Sequence, residues 1–362
     1  MRREPARTVG TSPLPAADAV SPVERRRRAY FHRRLGAWFR RAGRHDLPWQ
    51  RDRRGYAVWV SEIMLQQTTV ETVRGYYGGF LRRFPTVRAL AEANLDEVLA
   101  LWSGLGYYRR AHHLHRAARL VVARHGGRLP RREEDLGALP GIGPSTAGAI
   151  ASLAYDRPAV VLDTNVRRVL TRYWRDMHRH LGGGERALWA LARWLLPEEG
   201  GRAHTQALMD LGALVCRPRD PGCPRCPLVA DCPGPSGEGA PRRPKADSER
   251  RRRRMTLLLF RDRQGRVLLE RRSSRGIWAG LWCLPEAEGS ASVSVGSAGP
   301  GLLARRLHRL SHLDLEICLL AAHPLPPPGR SGRGRRWASA RERARLGLPP
   351  IVRAMLESLP VT

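Results

Sequence analysis

The sequence predicts an all-α domain followed by a small α+β domain. Apolar residues recur at helical spacing throughout residues 24–215, as Phe31, Leu35 and Trp38 do, and this period indicates amphipathic helices. Beyond residue 254, apolar residues instead alternate with polar ones, as in Leu313–Leu319, which indicates strands. A chain of 362 residues is long enough for two domains, since a domain commonly holds about 100–200 residues.

The domain boundary is expected in a segment without apolar periodicity. Residues 234–254 are rich in Pro and Gly at their start and in Arg at their end, a composition typical of a linker. Residues 1–23 are rich in Pro, Ala and Arg and lack the apolar stretch of a signal peptide, so we expect a disordered basic arm there. The helical domain is then expected at residues 24–233 and the α+β domain at residues 255–362.

The charge of the chain indicates a polyanionic partner. The sequence holds 64 Lys and Arg residues against 33 Asp and Glu, a formal charge of +31, and such an excess favours nucleic acid as a partner. A preference for arginine over lysine explains why Lys245 is the only lysine, but it does not explain why cations outnumber anions nearly two to one. No apolar run approaches the ~20 residues of a membrane-spanning helix, so we expect a cytoplasmic protein without a membrane partner.

Four of the six cysteines fall in one short segment, at Cys216, Cys223, Cys226 and Cys232. Thiolates at such spacing can close around zinc or an iron–sulfur cluster. A structural zinc site usually has two short Cys-x2–4-Cys pairs, whereas this segment has one. A disulfide framework suits small secreted domains better than a long chain without a secretory signal. The spacing therefore favours an iron–sulfur cluster over zinc, and both over disulfides.

A glycine-containing turn, Leu139-Pro-Gly-Ile-Gly143, lies between two segments with helical patterning, Arg132–Ala138 and Ser145–Ala154. The backbone N–H groups around Gly141 and Gly143 would then point outward at the start of a helix, where they can bind a phosphate. Such a turn positions a duplex without reading its sequence. The alternative is a plain helix–helix connection.

Two acidic residues are candidates for catalysis. Asp163 precedes a helical segment, so it is either a helix N-cap or a carboxylate at the bottom of a pocket. Cleavage of a glycosidic bond requires a second acid, and the candidate is Glu62, the only charged side chain in the apolar segment Tyr56–Thr68. Together with Gln66 at i+4 it would form a narrow polar strip on a buried helix. Burial would raise the pKa of Glu62 and keep it protonated as a general acid, unless it faces solvent.

These motifs together resemble the helix-hairpin-helix DNA glycosylase superfamily. Within it, Leu-Pro-Trp49, Ser-Glu62-Ile-Met-Leu-Gln-Gln-Thr68 and Gly-Leu-Gly-Tyr-Tyr108 look like adenine DNA glycosylase of the MutY type. The resemblance implies the helix-hairpin-helix glycosylase fold and a [4Fe–4S] cluster held by the four cysteines of residues 216–232. It also implies a monomer in the bacterial cytoplasm, associated with the nucleoid, whose partner is double-stranded DNA with adenine opposite 8-oxoguanine or guanine.

The resemblance further implies a role for each matching position. Glu62 would protonate the adenine ring and then assist water, Asp163 would stabilise the oxocarbenium-like sugar, and Asn165 would orient the site. The base must first be flipped out of the duplex. The positions matched to the base pocket are Trp49, Gln50, Leu65, Ser145 and Asp210. The positions matched to wedging into the duplex are Gln67 and Tyr107, and those near the lesion base are Thr68 and Leu105.

Ser145 distinguishes two kinds of glycosylase. Related endonuclease III-type enzymes carry at this position a lysine that attacks the sugar, and this chain has no lysine in the helical domain. Without an amine there is no efficient Schiff-base route to strand cleavage. The chemistry therefore favours a monofunctional glycosylase that leaves an abasic site. A bifunctional glycosylase/lyase and a non-enzymatic iron–sulfur DNA-binding protein are the alternatives.

The C-terminal domain resembles the Nudix-like module of the same family. Gly280 and Glu286 retain the opening Gly-x5-Glu of a Nudix box, but residues 290–300 lack the acidic helix that binds Mg²⁺. A Nudix hydrolase would therefore be without its metal ligands. The family's lesion-reading Phe-Ser-His is matched by Leu-Ser311-His312, which loses the aromatic ring and keeps both polar groups. An ordinary turn before the next strand is the alternative.

Overall fold

The computed structural model describes residues 21–234, 251–287, 301–310, 313–322 and 334–359. Its elements confirm the predicted fold class, a helical part followed by a small α+β part. None of the helices in these ranges is long and apolar enough to cross a bilayer.

Residues 21–234 are helical almost throughout. The α-helices in chain order are Pro22–Ala42 (α1), Pro48–Arg51 (α2), Gly55–Leu65 (α3), Val70–Arg83 (α4), Val87–Glu92 (α5), Leu95–Trp102 (α6), Arg109–His125 (α7), Glu133–Gly137 (α8), Pro144–Tyr155 (α9), Thr164–Tyr173 (α10), Arg175–His180 (α11), Gly184–Trp194 (α12) and Gly201–Asp210 (α13). A π-helical turn, Leu211–Val215, continues α13, and two short 3-10 turns follow at Cys223–Arg225 and Val229–Asp231.

Local sequence explains where these helices begin. Ser21 and Glu24 form a capping box at the start of α1, which satisfies backbone N–H groups that the helix itself leaves unpaired. The predicted apolar face of α1 is buried, because Phe31, Leu35 and Trp38 are all in the core. These side chains pack with the aromatic rings of α10 and its C-terminal neighbour, Trp174, so burial of one face stabilises each helix.

Within its described residues, the C-terminal part contains two three-stranded sheets and two helices. Its elements are Arg251–Leu259 (β1), Val267–Arg271 (β2), Trp282–Cys283 (β3), Leu302–Arg309 (β4), Leu313–Ala321 (β5), Arg335–Ala338 (β6), Ala340–Ala344 (α14) and Pro350–Glu357 (α15). One sheet has the order β1-β5-β4, with β1 parallel and β4 antiparallel to β5, and the other has the antiparallel order β3-β2-β6. The alternating segment predicted at Leu313–Leu319 is confirmed as β5.

Strand β1 begins inside the predicted linker. All nine of its residues pair with β5, and Arg254 forms an ion pair with Glu316 at 3.0 Å. The side chains of its first four residues are exposed, so backbone pairing rather than burial defines this part of the strand. Strand β1 therefore overlaps the predicted linker at residues 251–254, where an exposed strand end shows no apolar periodicity.

The chain divides into two compact units, and neither is a continuous stretch of sequence. One unit comprises Met1–Glu62 with Leu129–Arg242, and the other comprises Ile63–Arg128 with Arg243–Thr362. The boundary predicted at residues 234–254 follows composition, whereas these units follow contacts in space. Helices α4 to α7 thus share a unit with the C-terminal sheets.

Candidate active site

Glu62 lies on α3 among buried apolar neighbours. Val58 and Ile63 on the same helix are buried, as is Ser61, whose hydroxyl donates to the Val58 carbonyl oxygen at 2.7 Å. The Glu62 side chain itself is partly exposed. Desolvation and, to a smaller extent, the nearby Asp163 carboxylate together raise the pKa of Glu62 to about 8. The predicted elevation of this pKa is confirmed, and Glu62 is protonated at neutral pH.

Asp163 is the N-cap of α10, and its charge acts on Glu62. Its Oδ1 accepts from the backbone N–H of Val166 at 2.7 Å, and its Oδ2 accepts from Asn165 Nδ2 at 3.3 Å. Burial raises the pKa of Asp163 above its ordinary value, and these hydrogen bonds and the charge of Arg168 offset part of that rise. Asp163 is therefore both a helix cap and a carboxylate beside the candidate acid.

The two carboxyl groups are tuned for different protonation states. Asp163 has hydrogen-bond donors and a neighbouring cation that stabilise its ionised form. Desolvation and the like charge of Asp163 instead favour the neutral form of Glu62. Such a pair separates a proton donor from a stabilising anion, which is the division of roles that cleavage of a glycosidic bond requires.

Ser145 holds the start of α9 against the segment that leads into Asp163. Its hydroxyl oxygen accepts from the backbone N–H of Leu162 at 3.1 Å. One turn later, Gly148 contacts the same segment so closely that a Cβ atom would overlap the Val160 carbonyl oxygen. Ser145 is thus occupied in local structure, and no amine stands at this position.

The unit that contains these residues also has a cavity of about 390 Å³, which neither Glu62 nor Asp163 lines. Trp49 and Gln50, two of the residues matched to the base pocket, line it together with Ser61 and Gln206. The cavity falls in the usual size range of small-ligand sites, about 300–1,000 Å³. Ser145 is not among the lining residues.

Asp210 is fully buried next to this cavity. Its carboxylate accepts from the backbone N–H of Arg44 at 2.7 Å and from the Arg44 guanidinium at 2.5 Å and 2.8 Å. Gln206, which lines the cavity, donates to Asp210 at 3.0 Å. Asp210 therefore reaches the cavity through Gln206 rather than by lining it, and its charge is compensated by a two-point arginine contact.

The Leu139–Gly143 turn has the geometry expected of a phosphate-binding hairpin. Gly141 has a positive φ of 83°, which suits glycine, and Gly143 is the N-cap of α9. Both glycines are exposed, while Ile142 between them is buried and anchors the turn. The backbone at the start of α9 is thus presented to solvent on a rigid support.

The residues matched to the wedge and to the lesion base lie in the second unit. Gln67 and Tyr107 are exposed and have positive φ angles of 59° and 48°. Thr68 Oγ1 donates to the Leu105 carbonyl oxygen at 3.3 Å, so the turns that carry these residues are in contact. Leu65, matched to the base pocket, also belongs to this unit.

The four cysteines form one group in the loop after the π-helical turn. All are free thiols. Burial, together with the neighbouring Cys216, Cys232 and Cys223, raises the pKa of Cys226 to about 11. Arg172 donates to Cys216 Sγ at 3.4 Å. No group of three or more His, Cys, Asp or Glu side chains among the described residues is arranged to hold a single metal ion.

Arginines that no sequence motif singled out support these features. Arg168 donates to Asn165 Oδ1 at 2.8 Å and to the carbonyl oxygens of Gly212 and Cys216, both at 2.6 Å. It thereby joins the start of α10 to the cysteine loop, as Arg44 joins its own segment to Asp210. In a chain with 64 basic residues, no local pattern distinguishes these arginines from the exposed ones.

The C-terminal candidates are only partly within the described residues. Glu286, the acid of the shortened Nudix box, forms ion pairs with Arg272 at 2.7 Å and Arg253 at 3.1 Å. Its carboxylate is therefore occupied by internal cations. Ser311 and His312 lie outside the described residues.

Comparison with known proteins agrees with this geometry. The family model described as "HhH-GPD superfamily base excision DNA repair protein" matches residues 60–181, and the "NUDIX domain" model matches residues 256–358. An adenine DNA glycosylase of Buchnera aphidicola subsp. Schizaphis graminum (strain Sg) is 36% identical over 253 residues, which cover 68% of this chain and 72% of that protein. Another, from Buchnera aphidicola subsp. Acyrthosiphon pisum (strain APS), is 30% identical over 337 residues, or 89% of this chain and 95% of that protein.

A solved structure of a thermostable thymine-DNA glycosylase is also similar, with a TM-score of 0.55 and 30% identity over 58% of this chain and 97% of that one. Because it covers 89% of this chain, the second of the two Buchnera aphidicola relatives extends across both the helical and the C-terminal parts. The resemblance predicted from the sequence is confirmed: the chain belongs to the adenine DNA glycosylase family of base excision repair proteins.

Proposed function

We propose that the protein hydrolyses the N-glycosidic bond of adenine opposite 8-oxoguanine or guanine in duplex DNA and leaves an abasic site. One observation carries this proposal. Glu62, with its pKa raised to about 8, stands beside the Asp163 carboxylate, which provides a proton donor and a stabilising anion in one unit. The family membership of the chain gives the base that such a pair would act on.

The roles of the two acids follow from their surroundings. Glu62 donates its proton to a ring nitrogen of the extruded adenine, which turns the base into a neutral leaving group. Asp163 stabilises the positive charge that develops on the sugar, since its ionised form is held by Val166 and Asn165. Glu62, ionised after the transfer, then accepts a proton from the attacking water.

The absence of lysine favours hydrolysis without strand cleavage. Ser145 occupies the position at which a lyase carries its amine, and its hydroxyl oxygen already accepts from Leu162. Lys245, the single lysine of the sequence, lies far along the chain in the predicted linker. We therefore expect a monofunctional enzyme.

DNA is proposed to bind through several separate features. The Gly141–Gly143 hairpin would hold a phosphate of the backbone, and the exposed Gln67 and Tyr107 would enter the stack of bases. The excess positive charge would supply the salt-dependent part of the affinity. Ser311 and His312 would read the 8-oxoguanine, and the protein would act as a monomer.

The cysteine loop is proposed to hold a [4Fe–4S] cluster. Four thiols within electrostatic reach of one another, with Arg172 beside Cys216, suit thiolate ligation of a cluster. Cys216, Cys223, Cys226 and Cys232 would be the ligands. When bound, the cluster would supply covalent cross-links within the loop. A reducing compartment such as the bacterial cytoplasm would keep the thiols available.

One experiment tests the proposed function. The full-length protein is incubated with duplexes that carry adenine opposite 8-oxoguanine, adenine opposite guanine, or thymine glycol, and each reaction is analysed with and without alkali. We expect breaks at the adenine only after alkali. Breaks without alkali would indicate a bifunctional lyase, and binding without any breaks would indicate a DNA-binding protein that is not an enzyme.

A further inference from the structure

Arg110, at the start of α7, is a buried arginine whose hydrogen-bond partners are not acids. Its side chain is 8% exposed. It donates to carbonyl oxygens at the end of α3, those of Ile63 at 2.8 Å and Met64 at 2.7 Å. It also donates to Thr68 Oγ1 at 2.9 Å and to the carbonyl oxygens of Leu105 and Gly106, both at 3.1 Å. A single guanidinium thus joins two turns that are about forty residues apart in sequence.

Each of the two turns contains an exposed residue whose backbone is strained. Gln67 and Tyr107 have positive φ angles, a conformation that residues with side chains rarely adopt. Tyr107 is 49% exposed although it is large and aromatic. Strained backbone of this kind persists only where the surrounding structure enforces it, and it is concentrated at functional sites. Thr68 joins the two turns by one hydrogen bond to Leu105, and Arg110 bonds to both turns at once.

The hydrogen bonds of Arg110 are better explained by a need to hold the two turns rigid than by a gain in folding stability. Burial lowers its pKa to about 10, so it stays charged at neutral pH although its partners are carbonyls, a hydroxyl and the rings of Trp102 and Tyr107. A buried charge is costly, and apolar residues of similar size would often stabilise a fold as well. The donors of a guanidinium lie in one plane. The two terminal nitrogens of Arg110 make all of these bonds, and each bond restricts the motion of the segment that carries its acceptor.

We propose that Arg110 is a positioning residue that locks the Gln67 turn and the Tyr107 turn into one rigid double wedge, and that this rigidity drives extrusion of the target base. The inference rests on the proposed function, since it assigns the wedge to the base-flipping step of adenine excision. Extrusion requires that the inserted side chains resist the restacking of the neighbouring bases. Two independently mobile side chains would be displaced when the neighbouring bases restack. Turns that are already ordered before binding lose less conformational entropy on insertion.

The proposal separates base extrusion from bond cleavage. We compare wild type, Arg110→Met, which keeps the apolar part of the side chain, and Arg110→Lys, which keeps the charge but has its donors on one nitrogen. Arg353→Met is the matched control, because Arg353 also donates to carbonyl oxygens, those of Arg343 and Leu346, in the same unit. Thermal unfolding of each variant shows that it is folded.

Two readouts are measured on each variant. Fluorescence of 2-aminopurine, placed at the target position opposite 8-oxoguanine, reports extrusion. Single-turnover excision is measured on two substrates, a fully paired duplex with adenine opposite 8-oxoguanine and a duplex in which the target adenine lies in a short unpaired bubble and needs little extrusion. A misplaced wedge should slow excision from the paired duplex about 10- to 100-fold and suppress the fluorescence change, while excision from the bubble stays within about threefold of wild type.

Each outcome has a distinct meaning. Equal slowing on both substrates, or extrusion and excision like those of wild type, would overturn the role of Arg110. If Arg110→Met does not fold, Arg110→Lys decides the question by the same ratio of paired to bubble substrate. If wild type removes no adenine from either substrate, the proposed function fails instead, so the two failures are distinguishable.

Discussion

At the scale of single residues, Glu62 and Asp163 show how surroundings divide roles between two chemically similar groups. The carboxylate of Asp163 has donors from Asn165 and Val166, whereas Glu62 is desolvated on an apolar helix and repelled by Asp163. The hydrogen-bond donors around Asp163 thus favour its ionised form, and the surroundings of Glu62 favour its neutral form, as their proposed roles need.

Replacing the candidate acid should abolish excision and preserve binding. In Glu62→Gln the side chain keeps its shape but cannot donate a proton as an acid, so single-turnover excision should fall by about 100- to 10,000-fold. Duplex affinity, measured by fluorescence anisotropy, should change little. Glu199→Gln, at an exposed position, is the control. Excision by Glu62→Gln within tenfold of wild type would remove Glu62 from the mechanism.

The pKa of Glu62 also predicts two pH effects. Because the acid must be protonated, the single-turnover rate should fall as pH rises through about 8. The unfolded chain releases this proton near pH 4.5, so between pH 4.5 and 8 the folded state holds more protons and Glu62 lowers stability as pH rises.

The second effect is tested by chemical unfolding of Glu62→Gln. This variant should be more stable than wild type at pH 8, by on the order of 1 kcal/mol or more, and the difference should vanish near pH 4.5. A difference that is constant across this range would show that Glu62 is not neutral in the folded protein at neutral pH.

At the scale of elements, α1 and α13 meet at a pair of histidines. The rings of His32 and His204 lie 5.2 Å apart. Burial and the charge of Arg28 lower the pKa of His32 to about 4, and burial, His32 and Arg28 lower that of His204 to about 3. Both histidines are therefore neutral when the protein is folded at neutral pH.

Because of these two histidines, the free energy of unfolding should decrease as the pH falls. Below about pH 6.5 the unfolded chain binds protons at both histidines while the folded chain does not, so stability is full above pH 6.5 and is lost as pH falls towards 4. We expect a slope on the order of 1 kcal/mol per pH unit, measured by urea unfolding between pH 6.5 and 4.5. The double variant His32→Gln/His204→Gln should have a flatter slope. An unchanged slope would assign the effect to other groups.

The cysteine loop is fastened to α1 as well as to α10. Arg27 donates to the Asp231 carbonyl oxygen at 2.9 Å, and Arg34 donates to that of Pro227 at 3.1 Å. Arg172 holds the other end of the loop through Cys216 and the carbonyl oxygen of Arg217. The loop is therefore positioned by arginine–carbonyl bonds on both sides of the thiols.

A cluster in this loop predicts a coloured protein. Purified under reducing, oxygen-free conditions, the protein should be yellow-brown and contain about four iron atoms per chain, since four cysteines suit a [4Fe–4S] cluster. Cys226→Ser should lose the colour and weaken folding or DNA binding, and Cys318→Ser, in β5, should not. A colourless, fully active protein with one zinc ion per chain would contradict the iron–sulfur proposal.

At the scale of the whole molecule, the C-terminal part packs on helices that precede it by more than a hundred residues. Ser103 donates to the Leu348 carbonyl oxygen at 2.7 Å, and Asp96 pairs with Arg271 at 3.1 Å. Gly347 lies so close to Leu99 that a Cβ atom would be 2.6 Å from that side chain. Since His112 of α7 also lies against Gly280, the C-terminal part covers part of both α6 and α7.

Truncation should thus have two effects. A protein that ends at Pro233 keeps both acids, the hairpin and the cysteine loop, and should still excise adenine at low temperature. It leaves Leu99 exposed, so its thermal midpoint should fall by more than about 5 °C, while Asp96→Asn, which removes one ion pair, should lower it less. An unchanged midpoint in the truncated protein would show that the two parts are stable independently.

The second effect concerns the opposite base. The truncated protein lacks Ser311 and His312, so it should lose much of its preference for adenine opposite 8-oxoguanine over adenine opposite guanine. His312→Ala tests this in the full-length protein and should shift the ratio of excision rates by roughly tenfold, since one base-edge contact discriminates by ~1–3 kcal/mol. An unchanged ratio would make the Leu-Ser-His segment an ordinary turn.

The class of chemistry was determined by the sequence alone. The cysteine spacing, the Leu139–Gly143 turn and the isolated Glu62 are local patterns, since their meaning depends on neighbours a few residues away. The fold class was predictable for the same reason, because a period of 3.6 or of 2 is visible within one helix or strand. The start of β1 was not, because its exposed residues pair only through the backbone.

Only the tertiary structure decided which distant segments support the site. Arg44 reaches Asp210, Arg168 reaches the cysteine loop, and Arg110 joins two turns, yet all three are ordinary arginines in a strongly basic sequence. The role of an arginine depends on the acceptors that folding brings around its guanidinium. The division into two units has the same origin, since burial of α6 and α7 by the C-terminal part is a matter of contact in space and leaves no local pattern in the chain.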